Sequence, residues 1–126
     1  MIGKRLCLAT ALIALAAGAA DARPVRQDYP SCNLAQQHRV RGQVGGSNRD
    51  VRQAHISMRA NILQADISTA RKARRLSQAQ AQKLGQQVER IRRDTNAAVK
   101  SQGFLSAGER ASYDRALDMV ATAICR

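Results

Sequence analysis

The sequence predicts an all-α protein: a small helical hairpin or three-helix bundle, with a loop-rich N-terminal segment tied to it by one disulfide. Three observations carry this. Apolar residues from about residue 50 onward recur in steps of three and four, the period of a helix with one buried face. Two serines followed three residues later by Gln or Glu mark helix starts as capping boxes. Finally, Cys32 and Cys125 stand near opposite ends of the chain that remains once the leader is removed.

Met1 to Ala22 reads as an export signal. Lys4 and Arg5 precede an apolar run from Leu6 to Ala17, and small residues surround Ala20-Asp21-Ala22 as in an A-x-A-like cleavage site. A membrane span needs about 20 apolar residues, and this run ends short of Asp21 and Arg23, so an uncleaved anchor is the weaker reading. Cys7 lies inside the run and leaves with it. Losing Lys4, Arg5 and Asp21 takes the formal charge from +12 to +11. The pattern is of bacterial type, with a periplasmic or secreted destination. The organisation is then 1–22 signal peptide, 23–49 loop-rich segment and 50–126 helical domain.

An oxidising destination and two remaining cysteines point to a Cys32–Cys125 bridge, with intermolecular pairing or a reactive thiol as alternatives. No CxxC redox motif is present. His38 and His55 lie at no zinc-ligand spacing from a cysteine, so they are expected as solvated or capping side chains. No metal or cofactor is called for.

Pro30, Gly42 and Gly45-Gly46 punctuate the loop-rich segment, which has room for a short helix around Asn33 to Arg41. The first long helix starts after Ser47 or Asn48, where Asp50 suits the positive end of a helix dipole. Its stripe is Ile56, Ala60, Leu63, Ile67 and Ala70, widened by Val51, Met58 and Ile62. The second opens at the Ser77/Gln80 capping box and buries Ala81, Leu84, Val88, Ile91, Thr95 and Ala98. Gly103 stops it. The third opens at Ser106/Glu109 and buries Tyr113, Leu117, Val120 and Ile124.

Sliding the chain by 29 residues lays Leu76, Ser77, Gln80, Leu84, Val88 and Ile91 on Leu105, Ser106, Glu109, Tyr113, Leu117 and Val120. Duplication and a shared capping rule explain this equally well. Large side chains are scarce and alanine is common, which suits close-packed slender helices or a homodimer seam.

Charge is the strongest functional signal. Arg71, Lys72, Arg74, Arg75, Lys83, Arg90, Arg92 and Arg93 face Glu89 alone over that stretch, whereas the region after Ser101 is balanced. These residues are the candidate contacts to an anionic envelope component or an acidic protein. A merely solubilising face competes with that reading. Nucleic acid is disfavoured by export and by the shortage of rings for stacking. Transmembrane insertion finds no second apolar run.

Catalysis finds little support. No base stands beside an activated Ser or Cys signature, and Asp114 and Asp118, on one helix face with Arg110 and Arg115, are expected as solvated salt-bridging carboxylates. Gly45-Gly46 lacks the pattern of a phosphate loop. A non-enzymatic role follows.

The segment Leu76-Ser77-Gln78-Ala79-Gln80 resembles the LTxxQ motif of the small periplasmic stress proteins related to Spy and CpxP, and Leu105-Ser106-Ala107-Gly108-Glu109 is a looser second match. Serine replaces threonine in both. The resemblance implies an exported, helical, often dimeric protein acting as a chaperone or stress sensor without a cofactor. A second resemblance, to an EF-hand loop, places Gly103, Leu105 and Glu109 correctly, but the early ligand positions hold Ala98, Lys100 and Gln102, and no calcium site is expected. The leading expectation is an exported binding or chaperone-like protein. A secreted inhibitor, immunity factor or effector that binds a specific protein partner is the alternative.

Mass spectrometry of the exported protein should find its N-terminus near Arg23. A retained Met1 would overturn the reading of residues 1–22.

Overall fold

In a computed structural model of the protein, residues 29–126 are described. The expected signal, 1–22, with Cys7, lies outside the described residues. A 3-10 turn at Pro30–Cys32 leads into a one-turn helix α1 (Leu34–Gln37). Then come three long helices, α2 (Val51–Lys72), α3 (Gln78–Gln102) and α4 (Ala107–Cys125). The predicted all-α bundle is what forms.

Each long helix starts where a side chain can satisfy free backbone donors. Asp50 caps α2, accepting from the N–H groups of Arg52 and Gln53 at 3.0 and 3.1 Å. Ser77 and Ser106 cap α3 and α4 in complete capping boxes, with Gln80 and Glu109 returning the bond to the cap residue's own N–H. Gly103, at φ 87°, ends α3. That conformation needs no Cβ, and Glu109 is committed to the next cap.

The α2 and α3 helices run antiparallel, as the cross-links Gln53 to Asn96 and Gln64 to Glu89 require. The core is the predicted set: Ile56, Ala60, Leu63, Ile67 and Ala70 meet Ala81, Val88 and Ile91, with Leu117, Val120 and Ile124 from α4. The stripes drift from expectation at a few positions, and Leu84 and Tyr113, expected in the buried set, only pack against its edge. Val99 rather than Ala98 is fully buried at the end of α3, and Val51 is 70 % exposed instead of widening the α2 face. Val51 is the first residue of its helix and lies beyond the reach of the core.

The N-terminal segment is bound into the bundle. Cys32 and Cys125 form the expected disulfide, with Cα atoms 5.7 Å apart. In a chain-entropy account, closing a loop this long restricts the unfolded chain by about 4 to 5 kcal/mol. Beside it the Ser31 N–H donates to the buried carboxylate of Asp66 at 2.9 Å.

The largest departure from the sequence reading lies between α2 and α4. Arg59 is 0 % exposed. Its Nη1 donates to Asp114 Oδ1 at 2.7 Å and to the Asp114 carbonyl at 3.1 Å, and its Nη2 donates to Asp118 Oδ1 at 2.7 Å. His55, also buried, donates from Nδ1 to the Val40 carbonyl at 2.7 Å and meets Asp114 Oδ1 through Nε2 at 2.8 Å. His38 closes the network on Asp118 at 2.8 Å.

The expectation that Asp114 and Asp118 are solvated is therefore wrong: Asp114 is buried and Asp118 half-buried, because Arg59 draws both inward. His55 is likewise a buried partner, not a solvated or capping one. Only His38 keeps substantial exposure.

Burial alone pushes the Asp114 carboxyl up, but hydrogen bonds from His55 and Arg59 and their charges outweigh it and hold the group below the usual carboxylate range. A depressed folded value means the stabilisation is complete above about pH 4 and is lost as pH falls through the folded value. Asp114→Asn should therefore lower the urea midpoint at neutral pH, and its midpoint should fall less than that of wild type on acidification. Parallel curves for the two proteins would show that Asp114 contributes nothing through its charge.

Candidate functional site

The α2–α3 turn is built from a helix ending that normally calls for glycine. The Arg75 N–H donates to the Ala70 carbonyl and the Arg74 N–H to the Arg71 carbonyl, both at 2.9 Å, which is the double bond pattern of a Schellman ending. The residue after the cap must then be left-handed. Here it is Arg74, at φ 58°, the one described residue other than glycine with a positive φ. A side chain in that conformation costs about 1 kcal/mol or more.

Around this ending Arg71, Lys72, Arg74 and Arg75 line a concavity of about 540 Å³ with Leu76, Ser77, Gln78 and Gln80. Among the described residues, no acidic one lines it. Arg75 is partly committed: its guanidinium lies over the Tyr29 ring, 5.5 Å from the centroid, and donates to the Tyr29 hydroxyl at 3.2 Å. Arg71, Lys72 and Arg74 are exposed.

The other sequence-predicted contacts are not brought together with these. Arg90 and Arg93 line a separate concavity of about 560 Å³ with Gln64, Gln82, Gly85, Gln86 and Glu89, and Arg90 lies about 18 Å along α3 from its start. Arg92, half-buried, forms an ion pair with Glu89 at 3.3 Å and donates from Nη2 to Gln64 Oε1 at 3.2 Å, and so joins α3 to α2. Lys83 stands beside Met119 and Ala123 of α4. The eight cations thus divide into a basic turn, a groove pair, a structural clamp and a lone lysine.

Among the described residues no group of histidine, cysteine or carboxylate side chains is set to hold a metal ion, and no helix is long and apolar enough to cross a membrane. Compared with protein-family models, curated proteins and solved structures, the chain matches none.

Two basic features escaped the sequence reading. Arg59 falls on the buried stripe, three residues after Ile56 and four before Leu63, and that phase is the signal that marks it. Arg39, Arg41, Arg52 and Arg110 gather near the start of α2, and nothing in their sequence separation announces it.

Arg74→Gly should raise stability by about 0.5 to 1 kcal/mol, because it removes a left-handed side chain while both turn hydrogen bonds survive. Urea unfolding measures this. A destabilised variant would mean that the Arg74 side chain is held by contacts worth more than the strain.

Proposed function

We propose that the protein is an exported, non-enzymatic binding or chaperone-like protein, of bacterial periplasmic or secreted type, that meets an anionic envelope component or an acidic client through the basic α2–α3 turn. The observation that carries this is Arg74. Cations at the end of a helix are favoured by its dipole by about 0.3 to 1 kcal/mol each, which accounts for Arg71 and Lys72 without any partner. It does not account for an arginine in a position where glycine is less strained. Strain kept at an exposed, cationic turn whose described lining holds no acid fits a residue retained for what it touches.

The fate of the carboxylates supports the same reading. Asp50 caps α2, Asp66 holds Ser31, Glu89 pairs with Arg92, Glu109 caps α4, and Asp114 and Asp118 surround Arg59. These acids are committed to the fold, so none of the six is left over to offset the field at the turn. Residues Met1 to Ala22 and the Cys32–Cys125 bridge fit an oxidising destination. The His55 ring is engaged on both nitrogens, which favours a structural over a catalytic role for it. The Leu76–Gln80 segment that resembles the LTxxQ motif opens α3 at this same turn.

The variant Arg71→Gln, Lys72→Gln, Arg74→Gly removes three charges and leaves Arg75 and Arg92 in their internal contacts. Binding to vesicles rich in anionic phospholipid should weaken by about 3 kcal/mol, roughly 100-fold. Wild-type binding should also weaken as salt shortens the reach of the field. Unchanged affinity in a folded variant would leave the basic turn a solubilising feature.

A further inference from the structure

Another arginine-lined concavity lies at the opposite end of α2, about 30 Å from the basic turn. Its volume is about 610 Å³, and it is lined by Arg39, Arg41, Arg52 and Arg110 together with His55 and a few apolar and glycine positions. That is within the range of small-ligand sites.

Three restraints build its wall from the segment 38–42. The Val40 carbonyl accepts from His55 Nδ1 at 2.7 Å, and the His38 carbonyl accepts from Arg110 Nη2 at 2.8 Å. The third is Gly42. A Cβ there would lie 1.9 Å from the Ala54 carbonyl oxygen, so the backbone passes against α2 at a distance only glycine permits. The segment is held in place where it carries Arg39 and Arg41.

The four guanidiniums fall into two kinds. Arg52 and Arg110 are half-buried and fixed: Arg52 Nη1 donates to the Leu105 carbonyl at 3.1 Å, and Arg110 is tied to His38 and lies 3.5 Å from Asp114. Arg39 and Arg41 are exposed, and their side chains bond to no described residue. The nearby carboxylates are already committed, Asp50 to the cap of α2 and Asp114 to Arg59 and His55.

We propose that this cleft binds a phosphomonoester group, with Arg52 and Arg110 as a preorganised floor and Arg39 and Arg41 as arms that close on it. A single carboxylate needs one guanidinium fork. Four guanidiniums lining one cleft, two of them with part of their donors already spent on carbonyls of the wall and of the loop before α4, match a dianion with several acceptor oxygens. Two of the four are ordered before the ligand arrives, which lowers the cost of binding. The site is independent of the basic turn and stands or falls separately from the function proposed for it.

The test is a titration of the purified protein with inorganic phosphate and with a soluble phosphomonoester, read from the arginine side-chain N–H signals in nitrogen-15 NMR. Saturable shifts at Arg52 and Arg110 are expected. Arg39→Gln with Arg41→Gln should keep the fold, since neither side chain has a described partner, and should weaken binding at least about tenfold. The basic-turn variant should bind phosphate as wild type does. Vesicles of phosphatidylcholine doped with phosphatidic acid separate two sources of the group: vesicle binding that depends on Arg39 and Arg41 assigns a lipid headgroup, and vesicle binding indifferent to them assigns a soluble ligand. Shifts that do not saturate, or affinity unchanged in the Arg39/Arg41 variant, would overturn the proposal.

Discussion

A guanidinium buried between two helices must be neutralised in place, and the rest of this molecule is arranged around that requirement. An uncompensated interior charge costs several kcal/mol. Arg59 therefore brings Asp114 and Asp118 to the α2–α4 interface, and these carboxylates in turn bring His55 and His38. Through the histidines the network reaches the Val40 carbonyl and the segment before α2. A helix pair with a lean apolar core thereby acquires a fixed partner and a fixed register. The disulfide anchors the same segment at the far end of α4.

That arrangement also explains the surface. A chain with formal charge +12 has few carboxylates to distribute, and the fold takes most of them for caps and internal pairs. Positive charge is left outside at both ends of α2. At one end it stands on a strained helix ending, at the other around a concavity whose wall is held by Gly42 and His55. The interior chemistry and the exterior field are thus two consequences of one allocation of charge.

Much of the fold was legible in the sequence because it rests on local rules. Ser77/Gln80 and Ser106/Glu109 announce two helix starts, the stripe from Ile56 to Ala70 is buried as its spacing requires, and Cys32 pairs with Cys125. The basic turn was legible as a concentration of charge. What local rules could not supply was the pairing of residues on different helices, far apart in the sequence. Asp114 and Asp118 read as solvated because their neighbours on α4 are arginines, while the arginine that buries them is on α2. Arg92 read as a surface cation because its contact with Gln64 exists only once α2 and α3 pack. Arg39, Arg41, Arg52 and Arg110 converge through the backbone path at Gly42, which composition does not encode.

Arg59 and Asp114 depend on each other inside the bundle, and a double-mutant cycle measures that dependence directly. Arg59→Met and Asp114→Leu, each alone, should lower the free energy of unfolding by up to about 3 to 5 kcal/mol, since each strips a buried charge of a direct counter-charge and leaves Arg59 to Asp118 alone or Asp114 to His55 and Arg110. The double variant should lose far less than the sum, with a coupling above about 2 kcal/mol. Losses that add to within about 0.5 kcal/mol would contradict the account, because the two groups would then act as independent residues and the allocation of charge would need another cause.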